Sequence, residues 1–368
     1  MSRQDPASAA PASTEMERIL GERYVTWVVT LAALIAALAI IGCELHVGDD
    51  DYWSASFDGS CGQVHELPDG GYVVARRHSG VGLLRTDSKF GQKWSVVCDP
   101  SVYLTAGAVL TAADGGYLVT AEGTNGSGTS LFKVDSSGNM VWRLNVGLAH
   151  TTGGFDNATC RTADGGYVVT GGPSTTLVKV SSDGTEEWRT YGDSGYGNWV
   201  VQTSGRGYLV ACHWPTKLCR FDSAGTVVWS RSLRALMNSI SYAYLDPGGE
   251  CVLASSDAPR IAKVDAAGDV KWQRDFGQIQ PKIHSVQPTS DGGFILAGGH
   301  GDITLVKTDS LGREEWRREF GADGEDCGTW AEQTADGGYI VAGHTIHYLF
   351  ENPHSYTIRL KKTDENGD

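Results

Sequence analysis

The stretch DGGYVVTGGPSTTLVKVSSDGTEEW, Asp164 to Trp188, predicts three short strands separated by tight turns and a loop. In the first turn, DGGY, glycine supplies the positive φ that a tight turn requires. In the second, SSDG, a polar side chain caps the turn and glycine takes the left-handed position. The apolar runs YVV and LVKV show little alternation, which is typical of strands buried on both faces. Trp188 lies on the last strand.

This unit recurs along the chain at intervals of 41 to 50 residues, from Tyr167 to Tyr208 at the shortest and from Tyr117 to Tyr167 at the longest. The turn is DGGY or DGGF in five copies and is degraded to GRGY and GGEC in two. Its aromatic position, or the residue that replaces it, is Tyr72, Tyr117, Tyr167, Tyr208, Cys251, Phe294 and Tyr339. Four-strand units of this length, repeated several times, indicate the blades of a β-propeller.

Each unit ends in a tryptophan strand except the seventh, which stops at Asp368. The N-terminal stretch DYWSASF has such a strand with nothing before it. We therefore expect an all-β, seven-bladed propeller of four-stranded antiparallel blades, closed by an N-terminal strand around Trp53 that removes the open sheet edges. One large ring per blade would fill the wedge between neighbouring sheets. These structural tryptophans are Trp53, Trp94, Trp142, Trp188, Trp229, Trp272 and Trp316.

The N-terminus predicts export. Residues 1–23 are polar, and residues 24–43 form a hydrophobic segment, expected to be one helix, of about the length that crosses a bilayer. The segment ends in Ile40-Ile41-Gly42-Cys43, which resembles the lipobox of bacterial lipoproteins. Lipidation at Cys43, a transmembrane anchor and a cleaved signal remain open, as does translation from Met1 or Met16. All three place the propeller, residues 47–368, outside the cytoplasm, in the periplasm or at the cell surface.

The composition argues against several functions. The formal charge is −14, so no basic surface is expected for nucleic acid. The sequence shows no nucleophile elbow, paired catalytic carboxylates or phosphate loop, and we expect no cofactor and no metal. The cysteines form no CxxC pair. In an oxidising compartment, Cys212 with Cys219 and Cys61 with Cys327 are candidate disulfides.

The loops after the second and fourth strands of each blade should gather on one face, where propellers usually bind. Histidine and aromatic side chains are frequent there, and they suit the recognition of a protein or a glycan. The ligand-face candidates are Tyr196, Trp199, His213, Trp214, His300, His344, His347, Tyr348 and His354. We therefore expect a membrane-tethered, non-catalytic binding or scaffold module. The alternative is an enzyme of quinoprotein-dehydrogenase or glycan-lyase or hydrolase type that uses the channel mouth.

The repeats resemble those of extracytoplasmic bacterial and archaeal β-propeller lipoproteins, which are built on DGGYIVAG…LVKTDSDGNVLW units. The resemblance covers nearly all of residues 50–368. More distantly, the Asp-x-x-Gly-x-x-x-Trp element looks like the tryptophan-docking motif of quinoprotein (PQQ) propellers. This sequence has one residue fewer before the glycine, seven units rather than eight, and no vicinal cysteine pair. These departures argue against bound PQQ.

Overall fold

The computed structural model describes residues 43–46, 54–100, 106–123, 128–148, 158–255, 257–277, 282–299, 301–321, 325–349 and 352–368. All regular elements within these ranges are β-strands. Residues Leu45–Asp368 form one compact unit. The predicted hydrophobic helix and Trp53 lie outside the described residues. Two strands precede the first complete blade, β1 (Cys43–His46) and β2 (Ser54–Asp58).

Six four-stranded antiparallel blades follow in chain order. Blade 1 consists of β3 (Ser60–Glu66), β4 (Tyr72–Arg77), β5 (Val81–Thr86) and β6 (Gln92–Asp99). Blade 2 consists of β7 (Ala106–Thr111), β8 (Tyr117–Gly123), β9 (Gly128–Val134) and β10 (Met140–Asn145). Blade 3 consists of β11 (Thr159–Arg161), β12 (Tyr167–Gly171), β13 (Thr176–Val180) and β14 (Glu186–Thr190).

The next three blades repeat the same order. Blade 4 consists of β15 (Tyr196–Gln202), β16 (Tyr208–His213), β17 (Lys217–Phe221) and β18 (Val227–Ser232). Blade 5 consists of β19 (Tyr242–Leu245), β20 (Cys251–Ala254), β21 (Arg260–Val264) and β22 (Val270–Asp275). Blade 6 consists of β23 (Ile283–Pro288), β24 (Phe294–Gly298), β25 (Ile303–Thr308) and β26 (Glu314–Phe320).

Blade 7 is assembled from both ends of the chain. Its first three strands are β27 (Glu325–Gln333), β28 (Tyr339–Leu349) and β29 (Asn352–Thr363), and β2 is the fourth. The register runs from Ser54 opposite Lys361 to Asp58 opposite Thr357. Strand β1 follows β2 at the outer edge of the sheet. The structure therefore confirms the seven-bladed propeller and its closure by an N-terminal strand, because the inner strand β3 packs beside both β27 and β7.

Neighbouring blades pack through the outer-strand tryptophans. In five blades the indole contacts the aromatic ring that begins the second strand of the next blade: Trp94–Tyr117, Trp142–Tyr167, Trp188–Tyr208, Trp272–Phe294 and Trp316–Tyr339, with centroids 5.5 to 6.3 Å apart. Trp229 faces a blade with Cys251 at that position. In the next blade, a left-handed turn glycine lies so close to each of these six indoles that a Cβ would come within 2.7 to 3.4 Å.

Blade 1 departs from this pattern. Phe90, four residues before Trp94, occupies the position that glycine takes in the other six turns, and its φ is 61°. Its ring is fully buried and stacks on Tyr72, with centroids 5.1 Å apart. An aromatic side chain of the turn itself therefore fills space at this seam, which explains why the glycine of the sequence motif is displaced to Gly91.

A buried cation pairs with the turn carboxylate in most blades. The third-strand Lys or Arg reaches back to the Asp of the DGG turn in five blades: Arg85–Asp69 (2.5 Å), Lys133–Asp114 (2.8 Å), Lys179–Asp164 (3.1 Å), Lys307–Asp291 (2.6 Å) and Lys362–Asp336 (2.9 Å). In blade 5, Lys263 uses Asp246 and Glu250 instead. In blade 4, Gly205 replaces the Asp, and no carboxylate of the described chain pairs with Arg220.

The two ends of the ring differ in their connections. The tight DGG and third-to-fourth strand turns lie at one end, which we call the turn face. The connections from second to third strand and from each blade to the next lie at the other end, which we call the loop face. Blade 7 alone extends far on the loop face: β28 and β29 have 11 and 12 residues, against at most 7 in the second strand of any other blade. At about 3.4 Å per residue, the four extra residues add roughly 14 Å.

Candidate functional site

Among the described residues, the most exposed aromatic side chains of the loop face lie at the corner between blades 3 and 4. Trp214, between β16 and β17, is 65% exposed and has a φ of 39°. Tyr191, which follows β14, is 67% exposed. Their two loops are joined by an ion pair in which Lys217 Nζ lies 3.0 Å from the Asp193 carboxylate. The corner therefore presents two aromatic rings to solvent on loops that are tied together.

The backbone holds Trp214 in an uncommon conformation. A left-handed φ is unfavourable for a bulky residue, and such conformations concentrate at functional sites. Two residues later, the Thr216 hydroxyl donates a hydrogen bond to the carbonyl of Asn238, and this contact secures the turn to the following connection. Burial would offset the cost of such a conformation, but this indole is exposed.

The second projection of the loop face is the β28–β29 hairpin, which contains the predicted insertion around His344 to Tyr356. Tyr348 is 48% exposed, and its hydroxyl donates a hydrogen bond to the Glu325 carboxylate. His347 is half-buried, with Nε2 3.0 Å from the Thr357 hydroxyl. Cross-strand pairing continues to Leu349 opposite Asn352. The insertion is therefore an ordered hairpin rather than an irregular loop.

Three of the predicted ligand-face residues are buried and cannot contact a ligand directly. Trp199, on the inner strand β15, is 2% exposed. His213 is 5% exposed, and burial lowers its pKa. His344 is 6% exposed, packs edge-on against Tyr356, and burial lowers its pKa to about 4. All three lie within strands, β15, β16 and β28, rather than in the loops where the sequence analysis placed them, and their side chains are buried in the blades.

The other predicted candidates divide as follows. Tyr196 is partly exposed at the first position of β15. His300 lies outside the described residues, and so does the side chain of His354. Tyr191 was missed by the sequence reasoning, although its position directly after an outer strand could have placed it on the loop face. Of the predicted set, the structure exposes Trp214 and Tyr348 most strongly.

The inner strands carry an aromatic cluster at the ring's inner edge. The Trp330 indole contacts the rings of His65 from blade 1 and Tyr242 from blade 5, each with a centroid distance of 5.3 Å. His65 Nδ1 lies 2.8 Å from the Glu332 carboxylate and Nε2 lies 3.0 Å from the Val109 carbonyl. Burial opposes protonation of His65, but the Glu332 charge and these hydrogen bonds outweigh it and raise the pKa. These contacts connect blades 1, 5 and 7, so the cluster stabilises the ring.

A groove between blades 6 and 7 opens near the loop face. It has a volume of about 410 Å³ and is lined by residues that include Ser56, Ile303, Glu319, Phe320, Arg359 and Lys361. The Lys361 ammonium lies 4.6 Å from the centroid of the Phe320 ring, and Arg359 donates hydrogen bonds to Ser56 and Thr345. Arg359 and Lys361 therefore both interact with other residues that line or border the groove.

Neither predicted disulfide is formed, since all seven cysteines of the compact unit are free thiols. Cys212 lies opposite Lys217 and Cys219 opposite Val210, so the two cysteines are diagonal neighbours. Diagonal Cα atoms are about 7–8 Å apart, beyond the usual 4.4–6.8 Å of a disulfide. The Cys61 thiol instead donates to the Gly343 carbonyl at 2.9 Å. Cys327 faces His284.

Within the described ranges, no group of three or more His, Cys, Asp or Glu side chains is arranged to hold a metal ion. In the same part of the chain, no helix has the length and apolar character needed to cross a membrane. Cys43, the predicted lipidation site, begins β1, and its side chain lies outside the description.

The described residues form a seven-bladed β-propeller, and two solved structures are similar to it in fold. A catalytically inactive variant of virginiamycin B lyase from Staphylococcus aureus, solved with quinupristin, has a TM-score of 0.60 and 7% identity over 85% of this chain and 99% of the lyase. The C-terminal WD40 domain of Sif2 has a TM-score of 0.55 and 10% identity over 85% and 83% of the two chains. No protein-family model matches the chain, and no curated protein is significantly similar to it. At these identities the likeness shows the fold alone.

Proposed function

We propose that this protein is a β-propeller recognition module that binds a glycan through the loop face, with Trp214 and Tyr191 as the stacking surface. The observation that carries the proposal is the exposure of both rings, 65% and 67%, on adjacent loops linked by the Lys217–Asp193 ion pair. Large apolar rings are normally buried, so two exposed rings on linked loops indicate a contact site. Planar rings stack on the apolar faces of sugars and form few hydrogen bonds of their own.

The proposal includes the location of the module. The hydrophobic segment of residues 24–43 and the lipobox-like Ile40-Ile41-Gly42-Cys43 support a membrane tether that holds the propeller outside the cytoplasm. Metabolic labelling with a radioactive fatty acid, followed by comparison of the full chain with its Cys43→Ser variant, tests the lipid. Label that persists in the variant would refute lipidation at this residue.

The glycan proposal is tested with the full chain in detergent against insoluble chitin, cellulose, xylan and peptidoglycan. We expect binding to at least one polymer, and a loss of about tenfold or more in Trp214→Ala, because truncating a central aromatic contact commonly costs more than about 1.4 kcal/mol. Val141→Ala is the matched control, since Val141 is 56% exposed on the outer strand β10 and distant from the loop face.

The outcome separates glycan from protein recognition. Binding to none of the four polymers, or equal binding by Trp214→Ala and the control, would contradict the proposed glycan surface. A variant with Tyr348→Ala on the blade 7 hairpin provides a second comparison. Retained polymer binding in this variant localises the contact to the corner between blades 3 and 4.

A further inference from the structure

A thiol and an imidazole from different blades meet at the inner edge of the ring. Cys327 is the third residue of β27 in blade 7, and His284 is the second residue of β23 in blade 6. The Cys327 Sγ lies 3.7 Å from the His284 Nε2, and both side chains are partly exposed. Both strands begin at the loop face, so the pair lies near the end of the ring where ligands have access.

We propose that Cys327 is a nucleophilic thiol, that His284 is its general base, and that the pair accepts an acyl group from an activated ester. A nucleophile within hydrogen-bond reach of an imidazole is the arrangement that activates cysteine in acyl transfer. The pair is a separate site from Trp214 and Tyr191, so this inference does not depend on glycan binding.

The chain contains an internal comparison for this thiol. Five of the seven thiols in the compact unit are buried, and only Cys98 and Cys327 are partly exposed. Cys98 lies beside Asp99, and burial together with that negative charge raises its pKa to about 12. Carboxylates, Glu325 and Asp326, also raise the pKa of Cys327, but Cys327 has in addition an imidazole 3.7 Å from its sulfur. Reactivity that depends on His284 should therefore distinguish Cys327 from Cys98 at comparable exposure.

The need for a base follows from the surroundings of Cys327. Burial raises its pKa to about 11; the positive charge of Lys282 opposes the increase, and the negative charges of Glu325 and Asp326 add to it. The thiolate is therefore scarce at neutral pH, and attack requires that the proton leave as the bond forms. His284 Nε2, 3.7 Å from the thiol sulfur, is placed to take that proton.

The reaction is balanced as follows. The Sγ of Cys327 bonds to the ester carbonyl carbon while His284 Nε2 takes the thiol proton. The tetrahedral adduct then collapses, and the bond from carbon to the leaving oxygen breaks. The leaving alkoxide receives the proton from His284, so the products are a thioester on Cys327 and a free alcohol. No oxidant, reductant or metal is consumed.

The test uses the full chain and p-nitrophenyl acetate. We expect a burst of nitrophenolate of one equivalent and an acetylated peptide that contains Cys327, formed roughly a hundredfold faster than the one that contains Cys98. His284→Gln should reduce the Cys327 rate to about that of Cys98, whereas Cys98→Ser should leave it unchanged. The dependence on His284 and the preference for Cys327 over Cys98 are the two readouts.

Two results would overturn the inference: equal acetylation of the two cysteines, or an unchanged Cys327 rate in His284→Gln. Circular dichroism and thermal melts establish whether His284→Gln is folded. If the variant is unfolded, the two peptide rates of the unmodified protein still decide the question.

Discussion

Blade 4 has a glycine where five other blades have the turn aspartate, and introducing a carboxylate there should stabilise the protein. Gly205 stands where five blades have Asp, and the Arg220 side chain has a buried nitrogen, Nη1, with no hydrogen-bond partner. Burial lowers the pKa of Arg220, as expected for a cation without compensation. A Cβ on Gly205 would meet only Arg220 Nη2, at 3.9 Å, and its φ lies outside the left-handed region. Gly205→Asp therefore places a carboxylate beside the guanidinium without a clash.

The expected gain is the sum of three small contributions. A partly exposed ion pair contributes about 0.2–1 kcal/mol. Satisfying a buried N–H contributes about 0.5–1.5 kcal/mol. Replacing glycine reduces the entropy of the unfolded chain by about 0.4–1 kcal/mol. Gly205→Asp should therefore raise the free energy of unfolding by about 1–3 kcal/mol, and Gly205→Ala should supply the last contribution alone.

The assay is urea unfolding of the full chain and of both variants, followed by tryptophan fluorescence. The difference between the two variants should also depend on pH. Asp291 is the equivalent residue in blade 6. Burial opposes its ionisation, but hydrogen bonds from Lys307, Thr289 and the backbone of Gly293 outweigh this effect and lower its pKa to about 2. A lowered pKa gives stability that is present above about pH 4 and lost as pH falls towards 2. If Gly205→Asp is no more stable than Gly205→Ala at pH 7, the turn carboxylates do not stabilise the blades by ion pairing.

Three further predictions follow from the packing. Gly184→Ala should destabilise the protein by about 2 kcal/mol or more, because its Cβ would lie 2.7 Å from Trp142. Gly165→Ala is the control, since Gly165 has nearly the same φ but no atom within 4 Å of its Cβ position, so this variant measures the backbone strain alone. Equal melting temperatures of the two variants would contradict the packing of Trp142 against this turn. Phe57→Ala should cost about 3–5 kcal/mol in urea unfolding, because Phe57 is 2% exposed on the closing strand; a loss under 1 kcal/mol would refute closure through this strand. His65 has a raised pKa, so the stability it contributes is complete below about pH 6.5 and is lost as pH rises through the folded value; melts between pH 6 and 9 should show this decline in the unmodified protein and not in His65→Gln.

The repeat made most of the fold predictable. Turn glycines, apolar runs and one tryptophan per unit indicated seven four-stranded blades, and the unpaired N-terminal strand indicated how the ring closes. The structure has β2 antiparallel to β29, in accordance with that prediction. The ion pairs from the third strand to the turn, such as Lys133 to Asp114, were not predicted, because they depend on which residues lie opposite each other across a hairpin.

The site was less predictable, because exposure is decided by one or two residues of strand length. Trp199 and His213 were assigned to the loop face, but the strands continue through both positions and turn the side chains inward. Trp214, one residue later, points to solvent. The Cys212–Cys219 disulfide failed for a related reason, since register places the pair on a diagonal rather than directly opposite.

The composition of blade 7 has a consequence for how the protein is made. Arg359 and Ser56, which form a hydrogen bond in this blade, are separated by 303 residues. During synthesis the strand around Ser56 leaves the ribosome long before its partner strand β29. For that whole interval this segment carries unpaired backbone groups and an apolar face, which favour aggregation. Six blades can assemble in order behind it, but the ring becomes a closed structure only after β29 has been synthesised.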